Sequence, residues 1–80
     1  MSTETTIRNY ILENYLFTDD QNALNSDDSF LDNGVLDSTG ILEMIYFIEE
    51  KFAIKVQDEE MIPENLDSVN NIVAFIKSKT

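Results

Sequence analysis

The sequence predicts an all-α protein: a small four-helix bundle with three main helices, one short helix and a long first loop. Three observations predict it. Apolar residues recur at helical spacing in three separate stretches. A run rich in Asp, Asn, Ser and Gln separates the first stretch from the second. No Gly or Pro interrupts the first stretch, from Thr3 to about Leu16.

The first helix is expected from Thr3 to about Leu16, where Ile7, Tyr10, Ile11 and Tyr15 follow helical spacing and Glu4 lies in the first turn, the end the helix dipole makes favourable for an anion. The long loop runs from Thr18 to Leu36 and carries the turn pair Asn33-Gly34. Its Leu24, Phe30, Leu31, Val35 and Leu36 are too apolar for a free linker and should pin it across the helices. The second helix, from Asp37 or Ser38 to about Lys51, has the strongest pattern, and Phe52 to Val56 follows as an extended connector. Asp58 to Ile62 is expected to form one short helical turn stopped by Pro63, whose ring disfavours a helical conformation in the residue before it. Asp67 or Ser68 should cap the last helix, with Val69, Ile72, Val73 and Ile76 as its apolar face and Lys77 and Lys79 at its C-terminal end. At this length a single domain over residues 1–80 is expected, with Ile7, Ile11, Phe30, Ile41, Ile45, Ile48, Val69, Ile72 and Ile76 packed together.

Composition excludes several classes of function. With no Cys and no His, the chain lacks a thiolate nucleophile, the usual zinc ligands and the common general base, so it is not expected to be an enzyme. A formal net charge of -11 would repel nucleic acid and anionic lipid and steer basic protein surfaces toward the chain. No apolar run is long enough to span a bilayer, so a cytoplasmic, monomeric protein without stable membrane insertion is expected. No metal site is expected: counted as a calcium loop, Asp32 to Glu43 puts Gly34, Leu36 and Asp37 at the third, fifth and sixth positions, and the pattern fails.

On a helical wheel the second helix turns Ile41, Met44, Ile45, Ile48 and Phe52 to one face, the spacing of a core stripe. About a third of a turn away lie Thr39, Leu42, Glu43, Tyr46 and Glu50, with Glu49 toward the core side. Two apolar side chains ringed by carboxylates fit a protein-docking face, the anchors giving desolvated contact and the rim giving steering. The spacing also fits a plainer arrangement in which Leu42 and Tyr46 extend the core toward the loop and the glutamates are solvated, and periodicity alone favours that one. At the start of this helix stands Leu36-Asp37-Ser38. If Asp37 caps it, the Ser38 hydroxyl lies beside the free N–H groups of the first turn, where a phosphodiester is electrostatically favoured; Asp and Ser are also ordinary capping residues.

These residues carry a resemblance. Phe30-Leu31-Asp32 through Gly34, then Leu36-Asp37-Ser38, then an apolar and acidic helix ending Ile48-Glu49-Glu50-Lys51-Phe52, then Ile54-Lys55-Val56 and Asp58-Glu59-Glu60, resemble an acyl carrier protein, and Val69 to Ile76 is similar to that family's last helix. The resemblance covers about Ile7 to Lys77. It implies a single carrier domain in which Ser38 receives 4'-phosphopantetheine from coenzyme A, transferred by a separate phosphopantetheinyl transferase, with Asp37 helping to present it. The prosthetic thiol would hold an acyl or aminoacyl group as a thioester. By the same resemblance Thr39, Leu42, Glu43, Tyr46 and Glu49, with Glu50 at the edge, would recognise the acyl or aminoacyl ligase and downstream synthases through their basic docking surfaces. The helices would enclose a small cavity for a short or medium acyl chain. Thr39 replaces the commonest Leu, and Gly40 replaces the acidic residue usual in fatty acid carriers; a Gly there is similar to D-alanyl and peptidyl carrier proteins. Fatty acid, polyketide, nonribosomal peptide and D-alanylation pathways all remain open at this point.

Leu66-Asp67-Ser68-Val69 repeats the serine motif, but its helix has no acidic residue after Asp67 and only one apolar face, so Ser68 is expected to be a cap. The rival function is an unmodified acidic helical interaction module docking through the same Leu42 and Tyr46 face.

Overall fold

The chain is known from a computed structural model that describes residues 2–80. Among these residues the regular structure is helical: α1 (Thr3–Ile11), α2 (Ser38–Phe52), α3 (Pro63–Leu66) and α4 (Val69–Lys79). That is the four-helix arrangement expected, with three main helices, a very short one and a long first loop.

Ser2 caps α1, its hydroxyl accepting from the Thr5 N–H at 3.1 Å, and Glu4 lies in the first turn. The helix does not run evenly to Leu16 as expected. After Ile11 the chain widens into a π turn, Leu12–Leu16, closed by Phe17 in the left-handed region at φ 54°. Such turns interrupt the side-chain register of an α-helix and have no distinctive hydrophobic period, so the sequence pattern missed this one.

The loop is ordered by side chains, as its apolar content suggested. Asp20 caps a 3-10 turn, Gln21–Ala23. The Arg8 guanidinium reaches from α1 to the carbonyls of Gln21 and Leu24 and the hydroxyl of Ser26, and pairs with Glu4 at 3.2 Å. Further along, the Asp67 carboxylate accepts from the Leu31 N–H at 3.0 Å and from the Ser29 hydroxyl, while the Asp67 carbonyl accepts from the Phe30 N–H at 2.8 Å. Leu24, Phe30 and Leu36 are thereby held in the core and Val35 is half buried, whereas Leu31, expected to pin the loop with them, is exposed. Gly34 takes φ 69°, the conformation that the Asn33-Gly34 pair predicts.

Phe52 to Val56 carries no helix beyond its first residue and no strand, as an extended connector should. The expectation at Pro63 fails. Asp58–Glu60 forms a 3-10 turn, but the short helix begins at Pro63 instead of stopping before it. Both effects of proline are visible: Ile62 is extended at φ -119° and ψ 153°, and Pro63 takes the first helical position, where its missing N–H costs nothing.

The core lies between α1, α2 and α4, where Ile7, Ile11, Ile45, Ile48, Val69, Ile72 and Ile76 meet as expected, joined by Leu12, Met44, Val56, Leu66 and Phe75. Ile41 is the exception. It is only half buried, because it stands on the flank of α2 that faces Ile62 and Pro63. No helix among the described residues is long and apolar enough to cross a membrane.

Candidate functional site

The two Leu-Asp-Ser repeats both begin helices, yet they do so one residue out of step. In the first, Asp37 is the cap: its Oδ1 accepts from the Gly40 N–H at 2.8 Å, and Ser38 becomes the first helical residue. In the second, Ser68 is the cap: its hydroxyl accepts from the Asn71 N–H at 3.1 Å and is buried, while Asp67 is spent on the loop. The expectation that Ser68 serves as a cap therefore holds. Ser38 is exposed, and no partner holds its hydroxyl among the described residues.

Ser38 stands where two hollows meet. One is an apolar groove of about 310 Å³, whose lining includes Leu31, Ile41, Leu42, Ile45, Met61, Ile62 and Leu66. The other is a more open and polar recess whose lining includes Tyr15, Asp37, Thr39, Gly40 and Glu43. Leu31 and Ser38 border both. The sequence expectation of a cavity enclosed by the central core residues needs correcting. Of those residues only Ile41 and Ile45 line the groove, which opens between α2 and the Met61–Leu66 stretch.

Gly40 has a local reason to be glycine. A β-carbon there would stand 3.1 Å from Leu36 Cδ2 and 3.4 Å from the Tyr15 ring. The start of α2 thus presses against the loop and the π turn. Phe47 on α2 stacks on Tyr10 with ring centroids 4.1 Å apart, and Tyr10 meets Tyr15 edge-on at 5.9 Å. The chain of contacts returns to α2 through the Tyr15 hydroxyl, which donates to Glu43 Oε1 at 2.7 Å. Burial foremost, then the contacts with Tyr10 and Glu43, pushes the Tyr15 phenol well above its ordinary value of 10.0.

Most of the expected recognition face is accessible. Leu42 is 46% exposed and Tyr46 65%, and Thr39, Glu43 and Glu50 are exposed beside them. Glu49 departs from the expectation. It is half buried, and its Oε2 accepts from the Val56 N–H at 3.0 Å, so it holds the connector after α2. Three apolar residues that sequence reasoning did not place in the site also stand open at the groove: Leu31, Met61 and Ile62. The available signal was Met61-Ile62, two adjacent apolar residues between the acidic Asp58-Glu59-Glu60 and Pro63.

No protein-family model matches the chain. Individual relatives do. The D-alanyl carrier protein of Streptococcus uberis is 42% identical over 62 residues, covering 78% of this chain and 77% of that protein. A D-alanyl carrier protein of Streptococcus equi subsp. zooepidemicus is 39% identical over 77 residues, covering 96% of this chain and 94% of that one. The acyl carrier protein of Clostridium acetobutylicum is 38% identical over 61 residues, 76% of this chain and 77% of the relative. Among solved structures, a holo acyl carrier protein from Nitrosomonas europaea superimposes with a TM-score of 0.78 at 22% identity, over 99% of this chain and 96% of that one, a likeness of fold. With this level of identity to carrier proteins, spread over three quarters or more of their length, the chain belongs to the acyl carrier protein family and is a carrier, not itself an enzyme.

Proposed function

We propose that the chain carries a small acyl or aminoacyl group as a thioester on 4'-phosphopantetheine joined through a phosphodiester to the Ser38 hydroxyl. The observation that carries this reading is the state of Ser38: first in its helix, exposed, with Asp37 taking the capping role that would otherwise occupy the serine. The residues present fit the group. An anionic phosphodiester at this point gains from the unpaired N–H groups and the positive end of the α2 dipole. The groove beside Ser38 offers apolar wall to the less polar parts of arm and cargo. When attached, the group supplies the thiol that a chain without Cys lacks.

A phosphopantetheinyl transferase would attach the group, and a ligase and downstream synthases would load and unload it. Their basic surfaces are matched by the net charge of -11 and by Thr39, Leu42, Glu43, Tyr46 and Glu50 on α2. Among cargoes, an aminoacyl group of the D-alanyl kind is supported by the streptococcal D-alanyl carrier proteins, two of which match over 95% and 96% of this chain. Such a carrier would work as a monomer in the cytoplasm.

The test is the intact mass after incubation with coenzyme A and a broad-specificity phosphopantetheinyl transferase, beside Ser38→Ala and Ser68→Ala. One added phosphopantetheinyl group, lost only in Ser38→Ala, is the expected result. No gain in a folded wild-type sample would overturn the reading and leave an unmodified interaction module docking through Leu42 and Tyr46.

A further inference from the structure

Glu43 is an exposed carboxylate on the face of α2 that follows Ser38, yet it is tied across 28 residues of sequence to a tyrosine of the π turn. The tyrosine is itself fixed. Its ring meets Tyr10 edge-on, Tyr10 stacks on Phe47, and Phe47 lies one helical turn after Glu43 on the same helix. The widened turn at Leu12–Leu16 takes Tyr15 off the register an unbroken α-helix would give it and places its hydroxyl 2.7 Å from Glu43. A free surface glutamate loses rotamer freedom when it docks; one already held in a single arrangement has much less to lose. The hydrogen bond engages one carboxylate oxygen and leaves lone pairs of the other for a partner's Arg or Lys.

We propose that Tyr15 is a positioning residue for partner recognition: it fixes Glu43 in advance in the orientation that meets a basic side chain of the transferase. The inference rests on the reading of Ser38 as the loading site and of α2 as the docking face, and it adds a contribution from outside α2. The Tyr15 hydroxyl bonds to Glu43 and not to the serine, though both side chains border the polar recess. Its effect therefore falls on encounter and not on chemistry.

The experiment measures loading rates from coenzyme A by a broad-specificity phosphopantetheinyl transferase, with the carrier concentration varied, for wild type, Tyr15→Phe, Glu43→Ala and the double variant. Tyr15→Phe keeps the ring and removes only the donor. It is expected to raise KM for the carrier about two- to tenfold with kcat unchanged, the range set by freeing one long side chain. In the Glu43→Ala background, where no acceptor is left for the hydroxyl, the same change is expected to add nothing. Equal KM for wild type and Tyr15→Phe would overturn the proposal, and so would an undiminished Tyr15→Phe effect in the Glu43→Ala background, since that would make Tyr15 a packing residue. No loading of wild type would instead overturn the reading of Ser38. Side-chain NMR couplings of Glu43 in the wild-type protein give a readout that needs no variant: one dominant χ1 rotamer is expected, and free averaging would overturn the proposal.

Discussion

Leu36 Cδ2 stands 3.1 Å from the point a β-carbon on Gly40 would occupy, with the Tyr15 ring 3.4 Å away on another side. Gly40 is thus inside a helix, two residues after the serine, at a place where the loop closes against it. Gly→Ala in a helix interior ordinarily gains about 1 kcal/mol, whereas overpacking a filled site costs about 1–3 kcal/mol. Leu36 is 3% exposed and has little room to retreat. Gly40→Ala is expected to be destabilising by about 1 kcal/mol in urea unfolding. A gain in stability would show that Leu36 gives way.

The two serines should separate in stability as well as in modification. Ser68→Ala removes a buried cap from the Asn71 N–H and is expected to cost about 1 kcal/mol. Ser38→Ala removes an exposed hydroxyl that holds nothing and should stay within about 0.5 kcal/mol of wild type. Thermal or urea unfolding of the two variants side by side checks this, and a Ser38→Ala loss as large as that of Ser68→Ala would contradict it.

Two carboxylates tie acid stability to the fold. Glu60 is held below its ordinary value of 4.5 by Lys79, at 2.6 Å, and then by the Gln57 N–H; Glu4 is held below it by Ser26 and then Arg8. A lowered folded-state pKa means that the charged form is the one the fold favours. The contribution is therefore present above 4.5 and disappears as pH falls through the lower folded value. The stability difference between wild type and Glu60→Gln is expected to hold above pH 4.5 and to close below it. A difference unchanged down to pH 3 would mean that the ion pair contributes nothing.

Self-repulsion sets the response to salt. A charge of -11 on 80 residues destabilises the compact state, and screening relieves it. The melting temperature is expected to rise with added NaCl, and further with a divalent cation at equal ionic strength. A flat profile would show that the carboxylates are too far apart to matter.

The helix pattern and the serine were legible in sequence because local rules govern both. The apolar spacing of α2 survives packing, and the cap at Asp37 is made by a side chain three residues from the N–H it accepts from. What could not be read arises from pairings that leave a helix's own register, seven residues apart at Glu49 and 28 at Tyr15. Glu49 looks like one more surface acid until Val56 is seen to donate to it. Tyr15 reads as part of an apolar helix face until the π turn brings it to Glu43. Pro63 gave a signal with two physical meanings, a bar on the residue before it and a favourable helix start, and only the position of Asp58–Glu60 decides between ending one element and beginning another.

The long loop owes its shape to residues far from it on both sides. Arg8 fixes its first half, while Asp67 and Asn70 fix its second through contacts spanning 36 and 43 residues. During synthesis the stretch ahead of Ser38 therefore emerges with one set of anchors in hand and the other still untranslated. Its final arrangement needs both sets, so truncating Asp67 or Asn70 would disturb the stretch ahead of the serine from the far end of the chain.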